Sequence, residues 1–332
     1  MTAAPPAPRP KLSIVLVSYN QEGFVGQAAA SILAQDMPEG GVEIVVADDC
    51  STDDTLRVLR RSLADAPWPV RVLPTPHNLG ITRNYERAFS ACRGDYVAVL
   101  EGDDYWTYSA KLRDQVAFLE VHQECPAVCT NHFVHDVARA AFTLKFQKIE
   151  GYSYIDAPGL IRDNRAGNFS TFVYRREALL RIPPAIFGER SYDWIVNICV
   201  ALEGPIGILY RPMSVYRWHD GGAWSRLSTA ERLTQQLHDM AVYDRLTDGV
   251  LHDAFEEARQ VLRRQLRDAE GESAVLAGSF RERWRSAEHR RRVMMAVVPP
   301  ALLLLYRGLV PPVVPIAARK IVRAFGRVIK RG

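Results

Sequence analysis

The stretch Tyr96-Val97-Ala98-Val99-Leu100-Glu101-Gly102-Asp103-Asp104-Tyr105-Trp106 decides how this chain reads. An apolar run with strand character drives into three carboxylates within four residues, with a glycine among them. Carboxylates crowded at the end of a buried strand repel one another and lose hydration, so they persist when a cation compensates them. Oxygen-rich sites of this kind suit Mg²⁺ or Mn²⁺, which bind through one or two carboxylates and complete their shell with water and substrate phosphates. Capping a helix that starts near Ser109 offers Asp104 another use. A cap needs one acid, not three. The stretch therefore points to a metal-dependent enzyme that handles a nucleotide diphosphate.

Working outward, the first half alternates strand and helix patterns. Strands are predicted at Leu12 to Val17, Val42 to Ala47, Val70 to Leu73 and Tyr96 to Leu100. Helices are predicted at Gly23 to Gln35, Thr52 to Leu63 (capped by Ser51, with Asp54 in capping-box position), Ile81 to Cys92 and Lys111 to His122. Short apolar strands separated by helices predict an α/β fold, a mainly parallel sheet flanked by helices on both faces. Ligands of such sheets sit beyond the carboxyl ends of the strands. Those ends carry Ser18-Tyr19-Asn20, Asp48-Asp49 and Glu101-Gly102-Asp103-Asp104, so three polar clusters are predicted to meet in one crevice. Further on, strand-like pieces occur at Ala127 to Thr130, Phe169 to Arg175, Ile206 to Tyr210 and Met213 to Arg217, with a helix at Asp193 to Leu202. From Ser228 to about Arg292 the pattern is helical.

The 332 residues suffice for one large domain with an appendage, and 48% hydrophobic and 24% charged residues are ordinary for a globular chain. Five scattered cysteines make no disulfide framework and suit a reducing cytoplasm. Cys125 and Cys129 lack a second ligand pair, so buried thiols are expected there rather than zinc. Met1 to Pro10 reads as a disordered lead without the apolar core of a signal peptide. The net charge is +4, but residues 281–332 hold thirteen Lys/Arg against two Glu, a net +11 that leaves −7 for the rest. Val293 to Tyr306 is apolar, yet its fourteen residues, broken by Pro299 and Pro300, fall short of the ~20 that span a bilayer. Ile316 to Lys330 sets Ile321, Val322, Phe325, Val328 and Ile329 on one helical face amid basic residues, the pattern of a helix lying on anionic lipid. A solvated basic helix or a partner-binding tail are the alternatives. No nucleic-acid partner is expected, because the apolar stripe fits a membrane better. The expected division is thus 1–10 lead, 11–225 catalytic domain, 226–292 helical extension and 293–332 membrane-associating tail.

The series Ser18-Tyr19-Asn20, then Ala47-Asp48-Asp49-Cys50-Ser51-Thr52-Asp53-Asp54-Thr55, then Asn78-Leu79-Gly80-Ile81-Thr82-Arg83-Asn84, then Gly94-Asp95-Tyr96 leading to Glu101-Gly102-Asp103-Asp104, resembles glycosyltransferase family 2 with the GT-A fold. The resemblance covers about Lys11 to Ser225, four motifs in family order. Ser191-Tyr192-Asp193-Trp194 and Tyr216-Arg217-Trp218-His219-Asp220-Gly221-Gly222-Ala223-Trp224-Ser225 are similar to the second half of bacterial members, which assemble cell-surface polysaccharides. It implies a nucleotide-sugar donor, UDP- or dTDP-linked, a glycan or lipid-linked acceptor, and a cytoplasmic enzyme, peripheral on the inner face of the cytoplasmic membrane.

The donor-binding residues so implied are Val17, Tyr19, Asp48, Asp49, Arg83 and Asp103. Tyr19 can stack on a pyrimidine, and Asp48 or Asp49 can accept the imide N–H of uracil or thymine, a contact that a purine edge does not offer in the same pose. Helix capping accounts for Ser51 and Asp53, and a surface salt bridge is the plain alternative for Arg83. Asp104 is the implied metal ligand, joined by Asp103, His219 and, ranked third among the acids, Glu101. Asp193 opens an apolar helix, where burial raises a carboxyl toward the useful range of a general base; a plain N-cap is its alternative. One base without an enzyme nucleophile implies single displacement with inversion. His219 precedes Gly221-Gly222, a flexible turn able to close over the donor. Two other functions compete. A sugar-nucleotide pyrophosphorylase would need a lysine in its N-terminal loop, and Val15 to Gly23 has none. A non-catalytic nucleotide-sugar-binding protein docked by its tail would have no use for Asp103, Asp104 and Asp193.

Overall fold

The computed structural model describes residues 9–189, 193–219, 221 and 227–283. The chain divides into two compact units, Met1–Arg263 and Arg264–Gly332, and the first contains the sheet. β1 (Leu12–Ser18), α1 (Val25–Leu33), β2 (Val42–Asp48), α2 (Thr55–Ser62), β3 (Val70–Val72), α3 (Ile81–Ala91) and β4 (Tyr96–Glu101) alternate as the apolar runs predict. They are followed by β5 (Tyr105–Trp106), α4 (Lys111–Val121), β6 (Ala127–Asp136), β7 (Ala141–Leu144), β8 (Tyr152–Ile155) and α5 (Ala157–Arg162). Next come β9 (Val173–Arg175), α6 (Arg176–Leu180), α7 (Asp193–Ala201), β10 (Ile206–Trp218), α8 (Thr229–Leu246) and α9 (His252–Arg283).

All seven residues of β1 and all seven of β2 are buried, because helices cover both faces of the sheet. Alternate residues serve two cores. Ile14, Leu16, Ile44, Val46 and Leu100 meet α1, α2 and α4 through Ile32, Leu59 and Leu112. Val15, Val17, Val45, Ala47 and Val99 lie in a larger core with Tyr85, Leu160, Ile195, Tyr243 and Phe255. The helices expected as an extension after residue 225 thus belong, up to Arg263, to the same compact unit.

The strand order is β3-β2-β1-β4-β9-β6-β10-β5, with β7 on β6 and β8 on β10. β1 runs parallel to β2 and β4, β3 to β2, and β10 to β6. β9 is antiparallel to both β4 and β6, so these two point the same way. The chain order reverses direction between β1 and β4, which opens a crevice at their carboxyl ends.

Three local expectations are corrected. Phe169 to Arg175 is not one strand: Phe169–Thr171 forms a 3₁₀ turn and only Val173–Arg175 pairs. The Thr171 hydroxyl donates to the carbonyls of Ala166 and Asn168, local bonds that compete with a ladder. The pieces at 206–210 and 213–217 are a single thirteen-residue strand, whose register shifts on either side of Pro212, where the backbone has no N–H to donate. Ser51 caps no helix; α2 starts only at Thr55, with Asp54 before it, and Ser51 is engaged by Asp48. In the expected lead, Arg9 already donates to the Arg93 carbonyl and pairs with Asp95. No helix of the described residues is long and apolar enough to cross a membrane. The apolar segment 293–306 and the basic segment 316–330 lie outside the described residues.

Candidate functional site

The crevice is framed by the register of the sheet, which aligns Ser18 with Asp48 and Val17 with Glu101. Beyond these pairs the Asp49 amide donates to the Ser18 carbonyl and the Gly102 amide to that of Val17. The predicted meeting of the three strand ends is therefore present.

Asp48 and Asp49 are both buried and both committed to the loops around them. Asp48 accepts from the hydroxyls of Ser18 (3.0 Å) and Ser51 (2.6 Å) and from the Ser51 amide (2.9 Å). Asp49 accepts from the amides of Leu79 (2.8 Å) and Gly80 (2.9 Å), one on each oxygen. Asn20 and Cys50 hold left-handed backbone, φ 51° and 62°, and the Asn20 side chain accepts from the Thr52 amide. Tyr19 stands above this loop pair with 46% of its surface exposed. Val17 contributes only a core side chain and a carbonyl already taken by Gly102.

The acidic pair divides its tasks. Asp104 is fully buried and turned into the protein. One of its oxygens accepts from the Arg217 amide (3.0 Å), the other from the Ser170 hydroxyl (2.6 Å) and the Asn168 amide group (2.5 Å). Burial, then the charge of Asp103, push it up to about 8 against those three donors. Asp104 is no helix cap: the residue before α4 is Ala110. Asp103 retains 20% exposure and places Oδ2 3.1 Å from Nε2 of His219, itself 13% exposed. The Gly221 amide donates to His219 Nδ1, which leaves Nε2 for Asp103. Glu101 accepts from the Tyr85 hydroxyl (2.7 Å) and more weakly from Asn168 (3.4 Å). Burial and the charges of Asp104 and Asp103 hold it well above the usual carboxylate range.

The four expected metal ligands are consequently not one donor set; among the described residues no group of three His, Cys, Asp or Glu is placed to hold an ion. Asp104 is engaged by Arg217, Ser170 and Asn168, and Glu101 by Tyr85 and, more weakly, Asn168. Asp103 and His219 would fit a metal if the imidazole took its other tautomer, the Nε2 lone pair then replacing the hydrogen bond to Asp103.

Asp193 is half-buried, the first residue of α7, which Trp194 anchors by donating to the Leu160 carbonyl (2.7 Å). Burial raises its carboxyl to about 7, opposed by the Trp194 amide and Lys145. Its charge in turn pushes up Glu101, Tyr85 and Tyr216, so it lies near these three groups. Arg83 is not among the acids: it pairs with Glu86 (2.7 Å) at the surface, near Gly188.

The residues that the sequence reading passed over are Tyr85, Asn168, Ser170 and Arg217. The buried guanidinium of Arg217 donates to the Asp103 carbonyl and to the Gln27 side chain, and lies 4.5 Å from the centre of the Tyr105 ring and 5.2 Å from that of Phe24. A signal for it existed: it lies two residues before His219 at the end of a strand, hence on the same face. Asn168 and Ser170 carried none, because they reach Asp104 from a turn 64 and 66 residues away.

The sequence profile of "Glycosyl transferase family 2" matches residues 13–182. An uncharacterized protein of Mycobacterium tuberculosis is 34% identical over 221 residues, 67% of this chain and 62% of that relative; the chain thus matches about three fifths of the relative's length. TarS of Staphylococcus aureus, named poly(ribitol-phosphate) beta-N-acetylglucosaminyltransferase, is 31% identical over 112 residues, 34% of this chain and 19% of the relative. Its fragment 1–349, solved with UDP-GlcNAc, superposes with a TM-score of 0.54 at 20% identity, covering 75% of this chain and 74% of that one. The mannosyltransferase PcManGT of Pyrobaculum calidifontis, solved with GDP-Man and Mn²⁺, gives 0.53 at 19% identity over 89% and 86% of the two chains. The fold is GT-A.

Proposed function

This chain belongs to glycosyl transferase family 2, and from that membership we propose an inverting, metal-dependent transfer of a sugar from a UDP- or dTDP-sugar to a hydroxyl of a glycan or lipid-linked acceptor in cell-surface polysaccharide synthesis. What supports this reading is the meeting of Ser18, Asp48 and Glu101 at the carboxyl ends of adjacent strands, with Asp103 paired to His219 and Asp193 near enough to Glu101 to raise its carboxyl.

Tyr19 offers its exposed ring to the base. Of the two adjacent acids, Asp49 has a lone pair to spare on each oxygen, whereas Asp48 already takes three donors, so Asp49 is the better acceptor for an imide N–H. Asp103 and His219 are the residues that would hold Mg²⁺ or Mn²⁺. When bound, such an ion stabilises the negative charge that grows on the leaving group. Asp193 accepts the proton of the acceptor hydroxyl while that oxygen bonds to the anomeric carbon from the face opposite the diphosphate. The bond from that carbon to the phosphate oxygen breaks, and the configuration inverts. Arg217 fixes the Asp103 loop against Gln27 and so sets the distance between base and leaving group. Attachment to an anionic membrane is assigned to the basic segment 316–330, on its sequence pattern alone.

A panel of nucleotide sugars, followed by release of the nucleoside diphosphate with Mn²⁺ and with EDTA, tests the reading. Release from a UDP- or dTDP-sugar that EDTA abolishes is the expected result. A protein that neither binds nor turns over any donor overturns it.

A further inference from the structure

A second cleft, of about 620 Å³, opens between α4, β8 and β10, away from the acidic pair. Its size suits a small ligand or a segment of polymer. Its floor is Phe118, whose ring lies against the strand only because residue 207 is glycine: a Cβ there would come within 2.4 Å of the ring. His122 stacks on Phe118 with centroids 4.1 Å apart, and Tyr152 meets both rings edge-on at 5.4 and 5.2 Å. Tyr152 remains 48% exposed, so its ring presents an open flat face. At the far end Arg211 donates to the Tyr108 hydroxyl (3.1 Å) and lies over that ring at 4.9 Å. Asp114 and Glu150 complete the rim.

Flat aromatic faces bordered by carboxylates and a guanidinium match one ligand chemistry closely. A sugar ring has an apolar C–H face for an aromatic ring and a belt of hydroxyls for Asp, Glu and Arg. Two carboxylates against one arginine disfavour anionic lipid and nucleic acid. The cleft and the crevice are bordered by the same strand, β10. Met213 borders the cleft, and Arg217 lies four residues further along the same strand, ~13 Å at strand rise.

We infer that this cleft is a second glycan-binding site, which holds the acceptor chain at a distance from the reacting hydroxyl. The inference rests on the proposed glycan acceptor. A site of this kind makes longer acceptors bind more tightly and keeps a growing chain near the crevice between transfers.

The test is saturation-transfer NMR on the full chain with chitohexaose, cellohexaose and mannohexaose, with UDP binding measured by calorimetry in parallel. At least one hexasaccharide receives saturation from the wild type, at least tenfold more tightly bound than in Tyr152→Ala or Arg211→Ala. Tyr152→Trp, which keeps a flat face, retains binding, while UDP affinity and thermal midpoint stay unchanged in all three variants. The inference is overturned if no hexasaccharide binds, or if Tyr152→Ala and Arg211→Ala bind as the wild type does. It is equally overturned if Tyr152→Ala instead abolishes self-association or binding to phosphatidylglycerol vesicles. A wild type that binds hexasaccharide but no nucleotide or donor separates failure of the proposed function from failure of the cleft.

Discussion

His219 Nε2 stands 3.1 Å from Asp103 Oδ2, across the gap between the end of β10 and the loop after β4. The two residues are 116 apart in sequence, and both are candidate metal ligands whose side chains stay partly exposed. Asp103→Asn and His219→Ala are each expected to lower Mn²⁺-supported turnover by about 10²-fold or more, with the apparent metal affinity falling in step. Titration of activity against Mn²⁺ measures this; an unchanged midpoint in both variants removes the pair from the metal site.

Asp104→Asn is expected to act through the frame. An amide nitrogen in place of one carboxylate oxygen would face the Arg217 amide or the Ser170 and Asn168 donors. The loss is about 1–3 kcal/mol of stability, the usual cost of an unsatisfied buried group, together with activity. Urea unfolding of the variant beside the wild type reads it.

Asp193 predicts a pH profile. Burial sets its carboxyl at about 7, and a general base works in the charged form, so transfer rises with pH through neutrality and levels above it. Asp193→Asn is expected to cut transfer by about 10²–10⁴-fold and to erase that limb, while donor affinity is kept. Equal losses in affinity and rate would point to a helix-start role only.

His132 predicts acid sensitivity of the fold. It is buried, and burial together with Lys145 depresses its imidazole from 6.5 to about 4. The unfolded chain therefore binds a proton that the native one refuses: stability is intact above about pH 6.5 and declines as pH falls toward 4, by about 3 kcal/mol in all. His132→Gln removes that slope, read from denaturant midpoints across the range.

Gly102→Ala is expected to move the acidic pair. An added Cβ would lie 2.5 Å from Gln21 Oε1, 2.8 Å from Val25 and 3.2 Å from the Ser18 side chain, so the loop must lift away from β1. Overpacking of this kind costs about 1–3 kcal/mol, and donor affinity falls with it. A thermal shift without loss of donor binding would dissociate the loop from the site.

The parallel half of the sheet was legible because its strands are buried on both faces and read as unbroken apolar runs. The strand ends were legible because charge after such a run is conspicuous. Less visible were the partners that those charges find. Arg217, Asn168, Ser170 and Tyr85 are ordinary residues by type, and their meaning comes from approach in space. The start of α2 was misplaced because Ser51 found a better acceptor in Asp48 than a helix end would provide. The two pieces of β10 were separated by Pro212, which interrupts hydrogen bonding but not the strand.

That interruption has a consequence for how the protein can vary. Beyond Pro212 the strand alternates sides, with Arg217 and His219 facing one way and Tyr216 and Trp218 the other. Inserting a single residue near Pro212 would exchange the two sets and present the Trp218 indole where the His219 imidazole now stands. A short insertion or deletion at this inconspicuous proline would thus silence the crevice more thoroughly than many substitutions inside it.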